Sequence, residues 1–242
     1  MDRDDALQQA KAGYARAARK AGHTLATLGI VGETPPDRDR RIRHWAYSLT
    51  RVHDSLAIAE LDVAWWTYRA VDVVEAWLSA HTRPIRVFEY GSGASTLWLS
   101  RRADEIISVE HHRGFAEHIA PILAAQGNID LRIVEPAESA SPDVPSRKEG
   151  HSGLDFTDYV AAIDSTEGSF DLVVIDGRAR EACLPAALPR LAPDGIIVFD
   201  NSRRARYRVA IQAAGVRERR LPGLTPTLPY PEQTSVLTRT NR

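Results

Sequence analysis

The stretch Ile85-Arg86-Val87-Phe88-Glu89-Tyr90-Gly91-Ser92-Gly93-Ala94-Ser95-Thr96 constrains this chain more than any other. A short apolar run ends on Glu89, crosses two glycines and opens into residues suited to a helix that begins near Ser95. That pattern predicts a strand, a tight turn and a helix N-terminus. Val87 and Phe88 suit a buried strand, while Gly91 and Gly93 lack a Cβ and let a ligand lie close against the backbone. Ser95 or Thr96 is the expected helix cap, with the positive end of the helix facing the same spot. Such a turn holds a small polar or charged molecule at the carboxyl end of a strand.

The residues themselves leave the ligand open. A dinucleotide fingerprint asks for Gly-x-Gly-x-x-Gly, and here the third position is Thr96. The next apolar run, Ile106 to Val109, ends on Glu110, seventeen residues beyond Gly93. A carboxylate at the tip of a second strand accepts hydrogen bonds from both hydroxyls of a ribose. NAD and S-adenosylmethionine (SAM) both carry that ribose, so the downstream chain decides.

From Ile85 onward apolar runs alternate with helical patterns, which predicts a parallel sheet with helices on both faces. Leu131 to Val134 is the third strand, and Gly114 to Gln126 a helix interrupted by Pro121. Ser139 to Gly153 has prolines, glycines and no apolar period, so a long loop is expected there. His151 within it is expected to be solvated, with a lid-borne base as the sharper reading. Phe156, Tyr159, Val160 and Ile163 mark a short amphipathic helix. Phe170 to Ile175 then runs into Asp176-Gly177, and a helix with Pro185 and Pro189 follows from Arg180 to Leu191. Pro193-Asp194-Gly195 is expected to turn into the strand Ile196 to Phe199, which ends in Asp200-Asn201. Val236-Leu237 reads as the last strand.

Taken together, Glu89-x-Gly91-x-Gly93, Glu110, Ile175-Asp176-Gly177, the Pro-x-Gly turn and the final strand resemble the class I SAM-dependent methyltransferases over roughly residues 83 to 242. The resemblance implies a Rossmann-like α/β sheet of seven strands, mostly parallel, whose last hairpin strand is antiparallel. It implies SAM as cofactor, with Glu89, Tyr90, Gly91, Ser92, Gly93, Ser95 and Thr96 around the methionine moiety, Glu110 at the ribose, and His111 and Asp176 among the other cofactor-binding residues. The expected reaction is methyl transfer to a small-molecule hydroxyl, with Asp176 as the candidate base. RNA or protein methylation, and a SAM-fold binder without catalysis, are the alternatives.

Asp176, Asp200 and Asn201 end adjacent strands and offer oxygen ligands of the kind Mg²⁺ or Ca²⁺ takes. This part is similar to the metal-dependent catechol and caffeoyl-coenzyme A O-methyltransferases, although Gly177, Arg178 and Arg180 do not reproduce their neighbourhood and a cation-rich surrounding repels a divalent ion. Without a metal, Asp200 and Asn201 are expected to position the substrate. Arg178, Arg180 and Arg203 or Arg204 are expected to recognise an anionic group on it.

The first 82 residues read as a helical extension ahead of a SAM-binding domain at 83–242. Helices are expected over Asp5 to Ala21, over Arg38 to His53 with Ile42, Trp45, Ala46 and Leu49 on one face, and after an N-cap at Asp62. These helices are the segment through which a homo-oligomer would form. Four of five tryptophans lie here, and Trp66, or its neighbour Trp65, is a candidate wall of the substrate pocket. With 242 residues, a formal net charge of −1 and a sequence pI near 6.7, the chain is unlike a bulk nucleic-acid binder. Cys183 is the only cysteine, which excludes an intrachain disulfide. The start, Met1-Asp2-Arg3-Asp4-Asp5, lacks a signal peptide's apolar core, and no run reaches membrane-spanning length, so a cytoplasmic location away from membranes is expected.

Overall fold

The computed structural model describes residues 34–49, 58, 61–148 and 150–240. The expected helix over Asp5 to Ala21 lies outside them, as does the end of the second helical stretch. Helices α1 (Arg41–Ser48) and α2 (Tyr68–Ser79) lead into strand β1 (Arg86–Tyr90), α3 (Ala94–Ser100), β2 (Glu105–Glu110), α4 (Arg113–Ala124) and β3 (Ile129–Ile133). A two-stranded hairpin, β4 (Ala137–Glu138) with β5 (Leu154–Asp155), brackets the long loop. Helix α5 (Thr157–Ala161) precedes β6 (Phe170–Ile175), α6 (Arg180–Ala187), β7 (Leu191–Phe199), α7 (Ala205–Ala213), β8 (Arg217–Gly223) and β9 (Glu232–Thr238).

The main sheet has seven strands in the order β3-β2-β1-β6-β7-β9-β8. β3, β2, β1, β6 and β7 run parallel, and β9 is antiparallel to both of its neighbours. Its central strands are buried on both faces, as a sheet covered by helices requires. Strand periodicity sorts the side chains between two cores. Phe88, Tyr90, Val173, Ile175, Ile197 and Phe199 face one, with Phe156, Tyr159 and Leu184. Val87, Leu172, Val174, Ile196 and Val198 face the other, with Val71, Val74 and Leu78 of α2. Ala64, Trp66 and the buried face of α2 thus pack into the same core as the sheet.

Several local expectations change. Helix α2 is capped by Thr67, whose Oγ1 accepts the Ala70 N–H, and not by Asp62, which lies in a turn and pairs with Arg101 and Arg102. Helix α1 buries His44, Tyr47 and Ser48, whereas Ile42 is 73% exposed. Polar contacts dock this helix: His44 Nδ1 lies 2.7 Å from Tyr68 Oη, Arg41 pairs with Asp72, and Trp45 Nε1 donates to the Leu228 carbonyl. Pro193-Asp194-Gly195 does not turn before the strand. It lies within β7, where the pairing with β6 slips between Phe170 and Leu172. A Cβ on Gly195 would come within 2.9 Å of the Asp171 carbonyl, so this irregular stretch needs glycine. Strand β8 was not foreseen, because Arg217, Glu218, Arg219 and Arg220 read as a charged surface. Charge and Pro222 are what an unpaired sheet edge tolerates. Among the described residues, no helix is long and apolar enough to cross a membrane.

Candidate active site at the strand ends

The glycine bend follows β1 and meets the end of β6. Gly91 has φ +97°, and a Cβ there would stand 2.7 Å from Gly177 Cα. Only glycine takes both that conformation and that approach without strain. The Asp176 N–H donates to the Tyr90 carbonyl at 3.0 Å, and the Gly91 N–H to the Val109 carbonyl at 2.8 Å. The tips of β1, β2 and β6 are therefore tied together around the bend.

Glu89 is fully buried beneath α3. Its Oε1 accepts the Ser95 hydroxyl, and its Oε2 accepts the hydroxyls of Thr96 (2.5 Å) and Ser108 (2.8 Å). Burial pushes this carboxyl up to about 7, against the downward pull of those hydroxyls. Thr96 Oγ1 also accepts the Gly93 N–H at 2.8 Å, and Ser92 Oγ lies 2.7 Å from Ser108 Oγ. Glu89, Ser95 and Thr96 thus direct their side chains to one another and shape the bend from behind. Helix α3 takes Gly93 as its N-cap, two residues ahead of Ser95 and three ahead of Thr96.

Tyr90 turns away as well. Strand alternation sends its ring into the core, where Oη donates to the Val160 carbonyl. Trp66 is likewise a core residue. It is fully buried against Trp98, ring centroids 5.8 Å apart, and so forms no pocket wall. Trp65 is the one of that pair that turns aside, against the cluster around Tyr47, Leu61 and Tyr68.

Glu110 faces the bend. Its Oε1 accepts the N–H groups of His111 (2.9 Å) and His112 (2.8 Å), and its Oε2 accepts that of Ser92 (3.2 Å). Burial raises its proton affinity, but His111 and these N–H groups outweigh it and leave the carboxyl below the ordinary range. His111 Nδ1 stands 2.8 Å from Glu110 Oε1, at ion-pair distance but without hydrogen-bond alignment. Around it lie Tyr159, Phe156 and His151, with ring centroids 5.9 Å from that of His111. His151 is therefore not simply solvated: the long loop lays it over Phe156, 6.0 Å between centroids. Asp155 pins the base of that loop, accepting the N–H groups of Asp143, Val144 and Thr157. Tyr159 Oη is buried without a hydrogen-bond partner and packs on Gly177, where a Cβ would come within 2.0 Å of it. Lone histidines and tyrosines in the sequence gave no signal for this cluster.

Asp176 is 22% exposed at the tip of β6. Burial raises its proton affinity, as do the charges of Asp200 and Glu89, while Arg180 opposes them. Asp200 is only 5% exposed, its Oδ1 accepting the Thr234 hydroxyl, so it does not present itself to a substrate. Asn201 adopts φ +51° and turns its Oδ1 toward Arg180.

The arginines divide sharply. Arg180 is buried and places all its N–H groups on oxygens: Nε on the Gly177 carbonyl (3.0 Å), Nη1 on the Asp200 carbonyl (2.7 Å) and Asn201 Oδ1 (3.4 Å), Nη2 on the Asp176 carbonyl (2.5 Å) and Oδ1 (2.6 Å). It is a strut between the ends of β6 and β7, not a substrate ligand. Asp176, Asp200 and Asn201 therefore do not fit a divalent ion, because a guanidinium already stands among them. Among the described residues, no group of three histidine, cysteine or acidic side chains is arranged for a metal. Arg206 donates to Tyr207 Oη, Arg208 pairs with Glu218, and Arg220 does too, so much of the basic run serves the fold. Arg203 is exposed beyond Asn201. Arg178 is half-buried, yet it makes only a 3.4 Å hydrogen bond to the Gly177 carbonyl and no ion pair among the described residues, its Nε being unpartnered. Burial, with Arg180 nearby, lowers its pKa.

The unpartnered Tyr159 Oη, the Glu110 carboxylate with His111 beside it and the glycine bend suit a polar ligand with a ribose. A family described as "Methyltransferase domain" matches residues 88–202, from within β1 to just past β7. A methyltransferase-like protein from Silicibacter pomeroyi is similar at 24% identity, covering 70% of this chain and 87% of its own, with a TM-score of 0.44. Precorrin-6y C5,15-methyltransferase from Geobacter metallireducens is similar at 15% identity, with 71% and 88% covered and a TM-score of 0.47. The N-methyltransferase NodS from Bradyrhizobium japonicum is similar at 13% identity, with 72% and 96% covered and a TM-score of 0.46. A comparison with curated proteins gave no match. Strand order, the antiparallel β9 and the family match lead to one conclusion: residues 88–202 form a class I SAM-dependent methyltransferase domain.

Proposed function

We propose that this enzyme methylates a hydroxyl oxygen of a small molecule that carries an anionic group. The observation that carries this reading is Arg178: a half-buried guanidinium, without an ion pair among the described residues, beside the tip of β6. A buried charge without a partner is costly, and a carboxylate or phosphate arriving with the substrate removes that cost.

SAM, when bound, supplies an electrophilic methyl group. In this reading the bend at Ser92 and Gly93 receives its methionine portion, Glu110 accepts the ribose hydroxyls, and His111 flanks the nucleoside. Asp176 takes the hydroxyl proton as the acceptor oxygen forms its bond to carbon. Its raised proton affinity brings it closer to the range a general base needs. Arg178 fixes the acceptor's orientation, so that binding energy away from the reacting atoms serves alignment.

Transfer of radiolabelled methyl from SAM to paired acceptors tests this: hydroxy acids against their uncharged methyl esters. The acids should be methylated and the esters should not, and Arg178→Met should raise KM for the acids about tenfold or more while leaving S-adenosylhomocysteine affinity unchanged. Equal turnover of acids and esters by the wild-type enzyme would remove the anionic substrate from the reading.

A further inference from the structure

The guanidinium of Arg180 lies where the ends of β6 and β7 present oxygens to a common point. Two are carboxylate oxygens, Asp176 Oδ1 at 2.6 Å from Nη2 and Asp200 Oδ2 at 3.7 Å from Nη1. Three are carbonyls, of Asp176, Gly177 and Asp200, and the last is Asn201 Oδ1. The backbone is bent to achieve this. Ala179, just before Arg180, has φ +47°, and Asn201 has φ +51°, left-handed conformations that non-glycine residues rarely adopt. Tyr207 closes the far side, its ring centroid 5.7 Å from Arg180 Cζ.

This is a cation site by its donor set: two carboxylates, an amide oxygen and carbonyls, all hard oxygen ligands. The cation, however, is covalently part of the chain. Arginine is always charged and its planar fork matches several oxygens at fixed angles, so it neutralises the acids without being exchangeable.

We propose that Arg180 is a built-in replacement for a divalent ion: it fills the space between Asp176, Asp200 and Asn201, keeps metal out, and positions the Asp176 carboxylate with one oxygen engaged and the other left for the acceptor. The last part rests on the reaction site proposed above; the exclusion of metal does not. Arg180 acts here as a positioning residue, since its own N–H groups are spent on the protein.

Mn²⁺ binding followed by electron paramagnetic resonance tests the proposal on the full-length protein, with SAH binding measured separately so that a misplaced cofactor site is told apart from a misread Arg180. Wild type should show no Mn²⁺ site that Asp176→Asn abolishes. Arg180→Ala should gain about one such site per chain, lost again in the double variant with Asp176→Asn, because the vacated oxygens then fit a hard cation. Methyl transfer should fall about 100-fold in Arg180→Ala and recover in part with added guanidinium, while Arg180→Lys should retain more activity than the alanine variant. If Arg180→Ala does not fold, the wild-type and Asp176→Asn comparison decides alone. An Asp176-dependent Mn²⁺ site in wild type, or a folded Arg180→Ala protein that accepts neither Mn²⁺ nor guanidinium there, would overturn the proposal.

Discussion

Thr96 and Glu89 are joined through one hydroxyl: Thr96 Oγ1 donates to Glu89 Oε2 at 2.5 Å while accepting the Gly93 N–H at 2.8 Å. A fully buried acid beneath the sheet's first helix is thereby connected to the backbone of the glycine bend. The acid that opens the family motif serves, in this structure, as the foundation of the bend.

That burial has a pH signature. Glu89 titrates near 7 in the folded chain, against an ordinary value of 4.5. Between those values the unfolded chain releases the proton while the folded chain keeps it, so stability falls as pH rises through the window, by roughly 3 kcal/mol in all. Urea unfolding of wild type and Glu89→Gln from pH 4.5 to 7.5 should show the wild-type advantage shrinking by that order. Two curves that stay parallel would contradict the buried, proton-holding state.

Gly91→Ala should lower stability by about 1–3 kcal/mol and weaken S-adenosylhomocysteine binding, because it combines a left-handed φ with a collision against Gly177 Cα. Gly127→Ala is the control: its φ of +79° is also left-handed, but nothing lies within 4 Å of the added Cβ. It should lose stability and leave ligand affinity alone. Calorimetry of both variants separates backbone strain from a specific contact at the bend.

The loop that carries His151 depends on Asp155, which also accepts the Thr157 hydroxyl at 2.6 Å. That hydroxyl, with the surrounding N–H groups, holds its carboxyl down at about 2. The folded-state pKa is depressed, so the anchor's contribution is present above the unfolded value and disappears only as pH falls toward 2. Asp155→Ala should therefore speed tryptic cleavage at Arg147 or Lys148, whereas lowering wild type to pH 4 should not loosen the loop in hydrogen exchange. Unchanged cleavage in the variant would show that Asp155 is not the anchor.

What was legible in the sequence follows from how directly each residue's role depends on local backbone. Gly91, Glu110 and Asp176 sit at strand tips, where sequence position fixes place, and the structure brings these three tips together. Side-chain direction was harder to read. Tyr90 and Ser92 are two residues apart, yet one enters the core and the other meets Glu110 through its backbone, because the chain leaves the strand between them. Trp65 and Trp66 precede α2, so helical spacing could not say which of them would be core. β8 carries too few apolar residues to show itself, since an edge strand has little to bury. Arg180 looked like free charge, because nothing local reveals that Asp200 and Asn201, at the end of another strand, complete the set of oxygens that Asp176 and Gly177 begin.

The central claim is that the cofactor lies at the joined tips of β1, β2 and β6, with Glu110 on its ribose. Isothermal titration with S-adenosylhomocysteine, comparing wild type with Glu110→Ala, tests this most directly. We predict binding at one site per chain in wild type and a loss of affinity of at least about tenfold in the variant, as expected when a charged hydrogen-bond acceptor is removed. No binding heat in correctly folded wild type, or equal affinity in the two proteins, would contradict it.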